Sequence, residues 1–182
     1  MEPTTIRYTY EDYLSLPDNG KRHEIIEGEL HMTPAPSVIH QRISLNIVML
    51  LMPFVAGTRR GSVLYAPVDV VLSEEDVIQP DIVYVSKERS SIITQRNIHG
   101  APDLVIEILS ERTKTLDKKQ KRQLYERHGV KEYWLVDPDE RSVEVLSLGQ
   151  GSYESLGVVR SGTIRSRLLS DFMTTVDAVF AV

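Results

Sequence analysis

Two acids stand in this sequence where acids are costly. Asp81 follows Pro80 and enters an apolar run over residues 78–85, and Glu107 sits in the middle of LVIEIL, residues 104–109. β-branched runs of this kind are the mark of strands buried on both faces, and a lone carboxylate there loses its hydration without compensation. Two neighbouring strands each carrying one such acid would bring Asp81 and Glu107 together. Like charges at that range repel, and one carboxyl takes up a proton unless a cation lies between them. A hard divalent ion such as Mg2+, with Mn2+ as a substitute, suits such a pair, since it takes carboxylate, carbonyl and water oxygens. The plain alternative is an acid at a strand end, or one paired with Arg or Lys. Asp81 taken alone fits that alternative, and Asp69 and Asp103 read as strand-end or turn acids. Glu107 lies deeper in its run.

A cation follows in the sequence. Residues 112–128 read as a helix closed by Gly129. At about 100° per residue, Asp117, Lys121, Leu124, Tyr125 and His128 fall on one face, and Leu124 and Tyr125 mark that face as inward. Lys119 points the other way and Lys118 lies at the margin. An inward lysine needs a carboxylate partner: either Asp117 one turn earlier, or the acids on the strands. Between residues 111 and 127 the basic residues Arg112, Lys114, Lys118, Lys119, Lys121, Arg122 and Arg127 outnumber Glu111, Asp117 and Glu126. That surplus could meet phosphates, or it could be a solvated helix face.

The elements that must position these residues are legible in outline. Thr9 and Asp12 form a capping box before a short helix that a turn over residues 17–20 would end. HEIIEGELHMT (23–33) reads as two strands joined at Glu27-Gly28. Ser37 caps a helix whose inward face carries Ile39, Ile43, Ile47, Leu50, Leu51 and Phe54. VLYAPVDVVL (63–72) and VIQPDIVYV (77–85) read as two strands, with the LVIEIL strand, the basic helix and the strand KEYWLVD (131–137) after them. A hairpin around Gln150-Gly151 and a small helix over DFMTTVDAVF (171–180) complete the chain. The order helix, three strands, helix, strand, with hairpins added, predicts a single α/β domain: an α+β mixed sheet flanked by helices.

Composition agrees with a globular domain. The chain has 182 residues, 41% hydrophobic and 26% charged, with a net charge of −5. That charge argues against coating nucleic acid by charge alone. Without cysteine there is no disulfide and no thiolate chemistry. No apolar run reaches the ~18–20 residues of a membrane span, and the first residues lack the basic and apolar regions of a signal peptide. A cytoplasmic protein without membrane contact is the expectation.

The stretches HEIIEGEL, HQRI, APVDVVLSEEDVIQPDIVYVSKER, GAPDLVIEILS and TLDKKQKRQLYERHGVKEYWLVDP, in that order over residues 22–148, resemble the Uma-type restriction endonucleases of the PD-(D/E)XK nuclease superfamily. The resemblance implies a restriction-endonuclease-like core and Mg2+-assisted hydrolysis of phosphodiester bonds in nucleic acid, DNA before RNA. In that pattern Asp81 and Glu107 bind the metal, with the carbonyl of Ile108 as a further ligand. The pattern's lysine would fall two residues after Glu107, where this chain has Leu109, and Lys121 matches the position of a lysine moved to the next helix. Glu24 and His40 match family positions at the site periphery. A homodimer is expected, because cutting both strands of a duplex uses two sites. The alternative that Leu109 favours is a non-catalytic nuclease-fold module that binds nucleic acid or a protein partner. A further alternative is a metal-free domain in which basic side chains pair with Asp81 and Glu107.

Overall fold

The structure, a computed structural model, describes residues 6–17 and 20–181. Thr9 caps α1 (Tyr10–Leu14): its hydroxyl accepts the Asp12 N–H, and the Asp12 carboxylate accepts the Thr9 N–H. The turn expected after α1 includes Asp18 and Asn19, which lie outside the described residues. β1 (Arg22–Ile26) and β2 (Glu29–Thr33) pair as a hairpin. Its two-residue turn puts Glu27 at φ 52° and Gly28 at φ 77°, the left-handed backbone that a type I′ turn requires.

Ser37 caps α2 (Val38–Thr58) by accepting the His40 N–H. Ile43, Ile47, Leu51 and Val55, four residues apart, bury one face, whereas Ile39, expected inside, is 46% exposed. This 21-residue helix, with mean hydropathy 1.5, is long and apolar enough to cross a membrane by length and composition. Here its buried face packs on a sheet.

Each of the two long strands expected over residues 63–85 is broken in the fold. β3 (Gly61–Tyr65) and β4 (Val70–Ser73) are separated at Pro67, and β5 (Asp76–Ile78) and β6 (Ile82–Ser86) at Pro80. Proline has no N–H for a ladder, and the halves part there into different sheets. β4, β5 and β7 (Ile98–His99) join the hairpin in a small sheet of order β2-β1-β5-β4-β7. β3, β6 and β8 (Leu104–Ile108) run antiparallel in a larger one.

After β8, a π-helical turn (Leu116–Lys121) runs into α3 (Arg122–Arg127). The regular 100° spacing expected from residue 112 therefore does not hold throughout. β9 (Glu132–Asp137) returns parallel to β8. β10 (Ser142–Leu148) and β11 (Tyr153–Val159) extend the sheet as a hairpin, giving the order β11-β10-β9-β8-β6-β3. β12 (Thr163–Arg165) pairs with β13 (Met173–Thr175) before α4 (Val176–Val179). The final helix is thus shorter than expected, since the β-branched Thr174 and Thr175 favour a strand.

The order helix, three strands, helix, strand is that of α2, the β3, β6 and β8 strands, α3 and β9. Successive side chains on a strand point to opposite faces. Ile106, Ile108, Trp134 and Val136 therefore pack towards α2 and α4, while Val105, Leu109, Tyr133 and Leu135 pack with Leu124 and Tyr125 of α3.

Glu132, fully buried at the start of β9, ties the C-terminal segment to this sheet. Its carboxylate accepts from Trp134 Nε1, the Ser166 hydroxyl and the backbone N–H groups of Arg167 and Leu168 at 2.7–2.8 Å. Glu132→Ala would strand these donors and should cost on the order of 3 kcal/mol in urea unfolding. A loss below ~1 kcal/mol would mean that the segment is held by its apolar contacts instead.

Candidate active site

β6 and β8 pair with Ile82 opposite Ile106, so one residue further along the ladder Asp81 comes opposite Glu107. Their side chains share the face that carries Val83, Val105 and Leu109. Asp81 and Glu107 are 7% and 4% exposed. The Asp81 carboxylate is fixed through Oδ2, which accepts the Ile108 N–H at 2.8 Å and lies 3.1 Å from His40 Nε2. Ile108 thus meets Asp81 through its N–H, and the residue also lines the cavity in front of the two acids.

Lys121 closes the site from the helical side. Its Nζ lies 2.9 Å from Glu24 Oε1, 3.0 Å from Glu107 Oε1 and 3.5 Å from Asp117 Oδ1. The two partnerships left open by the sequence, with Asp117 and with the strand acids, both exist. π turns interrupt the regular α-helical ladder and recur at functional sites; this one ends at Lys121 and leaves Asp117 and Lys121 both buried. The Tyr125 hydroxyl donates to Glu107 Oε1 at 2.7 Å. Glu24, from the small sheet, also accepts the Gln79 N–H at 2.8 Å.

Three carboxylates thus surround one ammonium, and Asp81, opposite Glu107, adds a fourth acid to the cluster. Burial works to lower the Lys121 pKa, but Glu107, Glu24 and Asp117 outweigh it and hold the lysine well above its ordinary value. Burial raises the Glu107 carboxyl most. Lys121 opposes that rise, while Asp117, Asp81 and Glu24 add to it and leave Glu107 at about 8. Asp117 is raised by burial too, against the pull of Lys121 and Thr113. A protonated lysine beside a carboxyl that holds a proton near neutral pH is no contradiction: one ammonium cannot balance four acids.

The acids border a cavity of about 370 Å3. Among the described residues, no hydrogen bond reaches Asp81 Oδ1 or Glu107 Oε2. Two buried polar atoms of cavity-lining residues, His40 Nδ1 and Gln79 Oε1, also lack partners. No group of three or more His, Asp or Glu side chains among the described residues is arranged to hold a metal ion. Mg2+, however, is usually bound through one or two carboxylates and keeps several waters. One free oxygen on each of Asp81 and Glu107 fits that habit.

Leu109, where the superfamily pattern has lysine, is 3% exposed and packs among the apolar side chains under α3. The basic surplus is largely spent on structure. Lys114 and Lys118 pair with Asp137, Arg127 pairs with Glu27, and Arg122 donates to the Tyr153 carbonyl. Within that cluster, only the Arg112 and Lys119 side chains lack a partner among the described residues. Asp103, read as a strand-end acid, directly precedes β8 and is fully buried against Arg89 and Lys131.

The sequence reading underrated Glu24 and His40, giving them only peripheral places. Glu24 is 2% exposed and directly on Lys121, and His40 touches Asp81. The available signal was the same as for Asp81 and Glu107: Glu24 directly precedes two isoleucines in a strand.

Strand order and the helices on both sheet faces define a restriction-endonuclease-like fold, with two strand acids and a helical lysine gathered at one cavity. A crystal structure described as "a putative nuclease belonging to DUF820 from Anabaena variabilis ATCC 29413" superposes with a TM-score of 0.80, covering 95% of this chain and 97% of that one. At 23% identity the likeness speaks to the fold. The uncharacterized protein sll1609 of Synechocystis sp. (strain ATCC 27184 / PCC 6803 / Kazusa) is 27% identical over 137 residues, 74% of this chain and 77% of the relative. Residues 10–177 match the model of the Uma2 family, described as "Putative restriction endonuclease". The chain belongs to that family.

Proposed function

We propose that this protein is an endonuclease that hydrolyses phosphodiester bonds in nucleic acid, DNA before RNA, with Mg2+ or Mn2+ held by Asp81, Glu107 and the Ile108 carbonyl. The observation that carries the reading is the pairing of two buried carboxylates on adjacent strands, each with an oxygen free of hydrogen bonds among the described residues, at one cavity with a buried lysine. The bound ion would supply a water of lowered pKa and neutralise charge on the phosphate. The protein's own groups do the rest. His40 and the Ile108 N–H fix one oxygen of Asp81, and Tyr125 and Lys121 fix one oxygen of Glu107. Lys121 keeps its proton, so it serves as a positive charge and hydrogen-bond donor towards the water or the developing phosphate charge, rather than as a base. A homodimer would present one such site to each strand of a duplex.

One observation favours a second reading. Lys121 already neutralises part of the acidic cluster, which is what a metal-free nuclease-fold domain would need. Two measurements separate the readings. Plasmid or RNA should be cut with Mg2+ or Mn2+ and protected by EDTA, and calorimetry should register Mn2+ binding that Asp81→Asn weakens. Absence of both cleavage and Mn2+ binding would establish the metal-free reading.

A further inference from the structure

Beside the acidic cavity lies a groove of about 600 Å3 between the β1-β2 hairpin and the segment that precedes the π turn. Its lining is the reverse of the site's: Lys21, Arg22, His31 and Arg112 border it, and no Asp or Glu among the described residues does. In a chain of net charge −5, and next to four clustered acids, such a surface is not what average composition supplies. Lys21 has a partner, and nothing below rests on it. Arg22 and Arg112 make no side-chain hydrogen bond or ion pair among the described residues. His31 Nε2 is buried without a hydrogen-bond partner, and the Glu29 carboxylate stands off at 3.9 Å.

Position gives the groove its meaning. Arg22, Thr33 and Arg112 line both this groove and the acidic cavity, so the two spaces share a rim. A polyanionic strand with one phosphate at Asp81 and Glu107 meets repulsion there. Its neighbouring phosphate can offset that cost only on a surface of opposite sign.

We propose that the groove is a phosphodiester subsite, resting on the nuclease reading above: it holds the backbone phosphate next to the one at the acidic cavity. The guanidinium groups of Arg22 and Arg112 offer forked N–H donors to the non-bridging oxygens. Met32 and Leu116, which also line the groove, give apolar surface to the attached sugar.

The test measures binding rather than cleavage. A short fluorescent DNA duplex, and an RNA duplex of the same sequence, are titrated by anisotropy over a range of KCl concentrations without divalent metal. On DNA, Arg112→Gln should lower the slope of log affinity against log salt by about 0.9, and Arg22→Gln with Arg112→Gln by about 1.8. Arg112 is exposed, so its single variant carries little folding risk. Lys119→Gln, at an exposed lysine that does not line the groove, should leave the slope unchanged. The arm with the larger loss identifies the strand chemistry the groove takes. An unchanged slope in the double variant overturns the subsite even if the protein cuts DNA, and so does failure to bind either duplex. The expected loss of slope in a protein that never cuts would uphold the subsite and overturn the catalytic reading instead.

Discussion

Lys121→Ala should abolish cleavage and cost the metal-free protein about 3–5 kcal/mol of stability at neutral pH, because it leaves buried acids without their counter-charge. For a chain of this size that is a fall in melting temperature of about 6–20 °C. Lys121→Met, which keeps the aliphatic stem but not the charge, should lose nearly as much, which separates charge from packing. Both deficits should shrink in acid, since the unpaired carboxyls then take up protons, and at neutral pH they should shrink on addition of Mn2+. The catalytic loss itself is expected at ~10²–10³ in rate, measured with saturating metal, where the fold is least in doubt. A variant that melts like the parent would mean that the acids are not held as a charged cluster. Full cleavage by Lys121→Ala would remove the lysine from the mechanism.

Glu107→Gln and Asp81→Asn should likewise end cleavage and weaken Mn2+ binding, but Glu107→Gln has a second signature that needs no substrate. A glutamate unfolds to a pKa near 4.3, whereas burial leaves Glu107 at about 8 in the fold. Between those values the folded state holds a proton that the unfolded state has lost. Stability therefore falls as pH rises through the window, by up to ~1.4 kcal/mol per unit. It is fully present below about pH 4 as far as this group is concerned. Urea unfolding at several pH values should show that slope in the parent and a flatter line in Glu107→Gln, with Asp117 as the remaining contributor. Metal competes with the same proton, so Mn2+ affinity should climb with pH up to about 8. A parent whose stability is level between pH 5 and 8 would show that Glu107 is ionised throughout and that its pair with Lys121 is complete.

Parts of this site could be read without a structure because each rests on a local pattern. Asp81 and Glu107 interrupt apolar runs, and Lys121 falls on the face that carries Leu124 and Tyr125. These are statements about one strand or one helix. Glu24 escaped the same treatment because its role depends on a second sheet folding over the first. His40 escaped because a residue in the first turn of a helix gives no hint that a strand acid lies 3.1 Å away. The role of the basic cluster stayed open between phosphate contact and a solvated face for the same kind of reason: its partners Asp137 and Glu27 are distant in sequence, and counting charges within a segment cannot see them. The long strands were misjudged where Pro67 and Pro80 were read as features within strands rather than as the points where two sheets divide. The π turn has no periodic signature over so few residues.

One further consequence concerns how the molecule is made. The bond from Lys121 to Glu24 spans 97 residues, so the hairpin that supplies Glu24 leaves the ribosome long before its counter-charge exists. At typical rates of ~5–20 residues per second, the wait is roughly 5–20 s. During that time Glu24 lacks Lys121 and the larger sheet lacks β9, β10 and β11, so the cluster of acids and lysine is incomplete. A chain stalled short of residue 121 should remain open to protease at the hairpin, while one that has released β9 should resist it. Under the proposed nuclease function, the protein would thus stay inert near the messenger that encodes it until synthesis is well advanced.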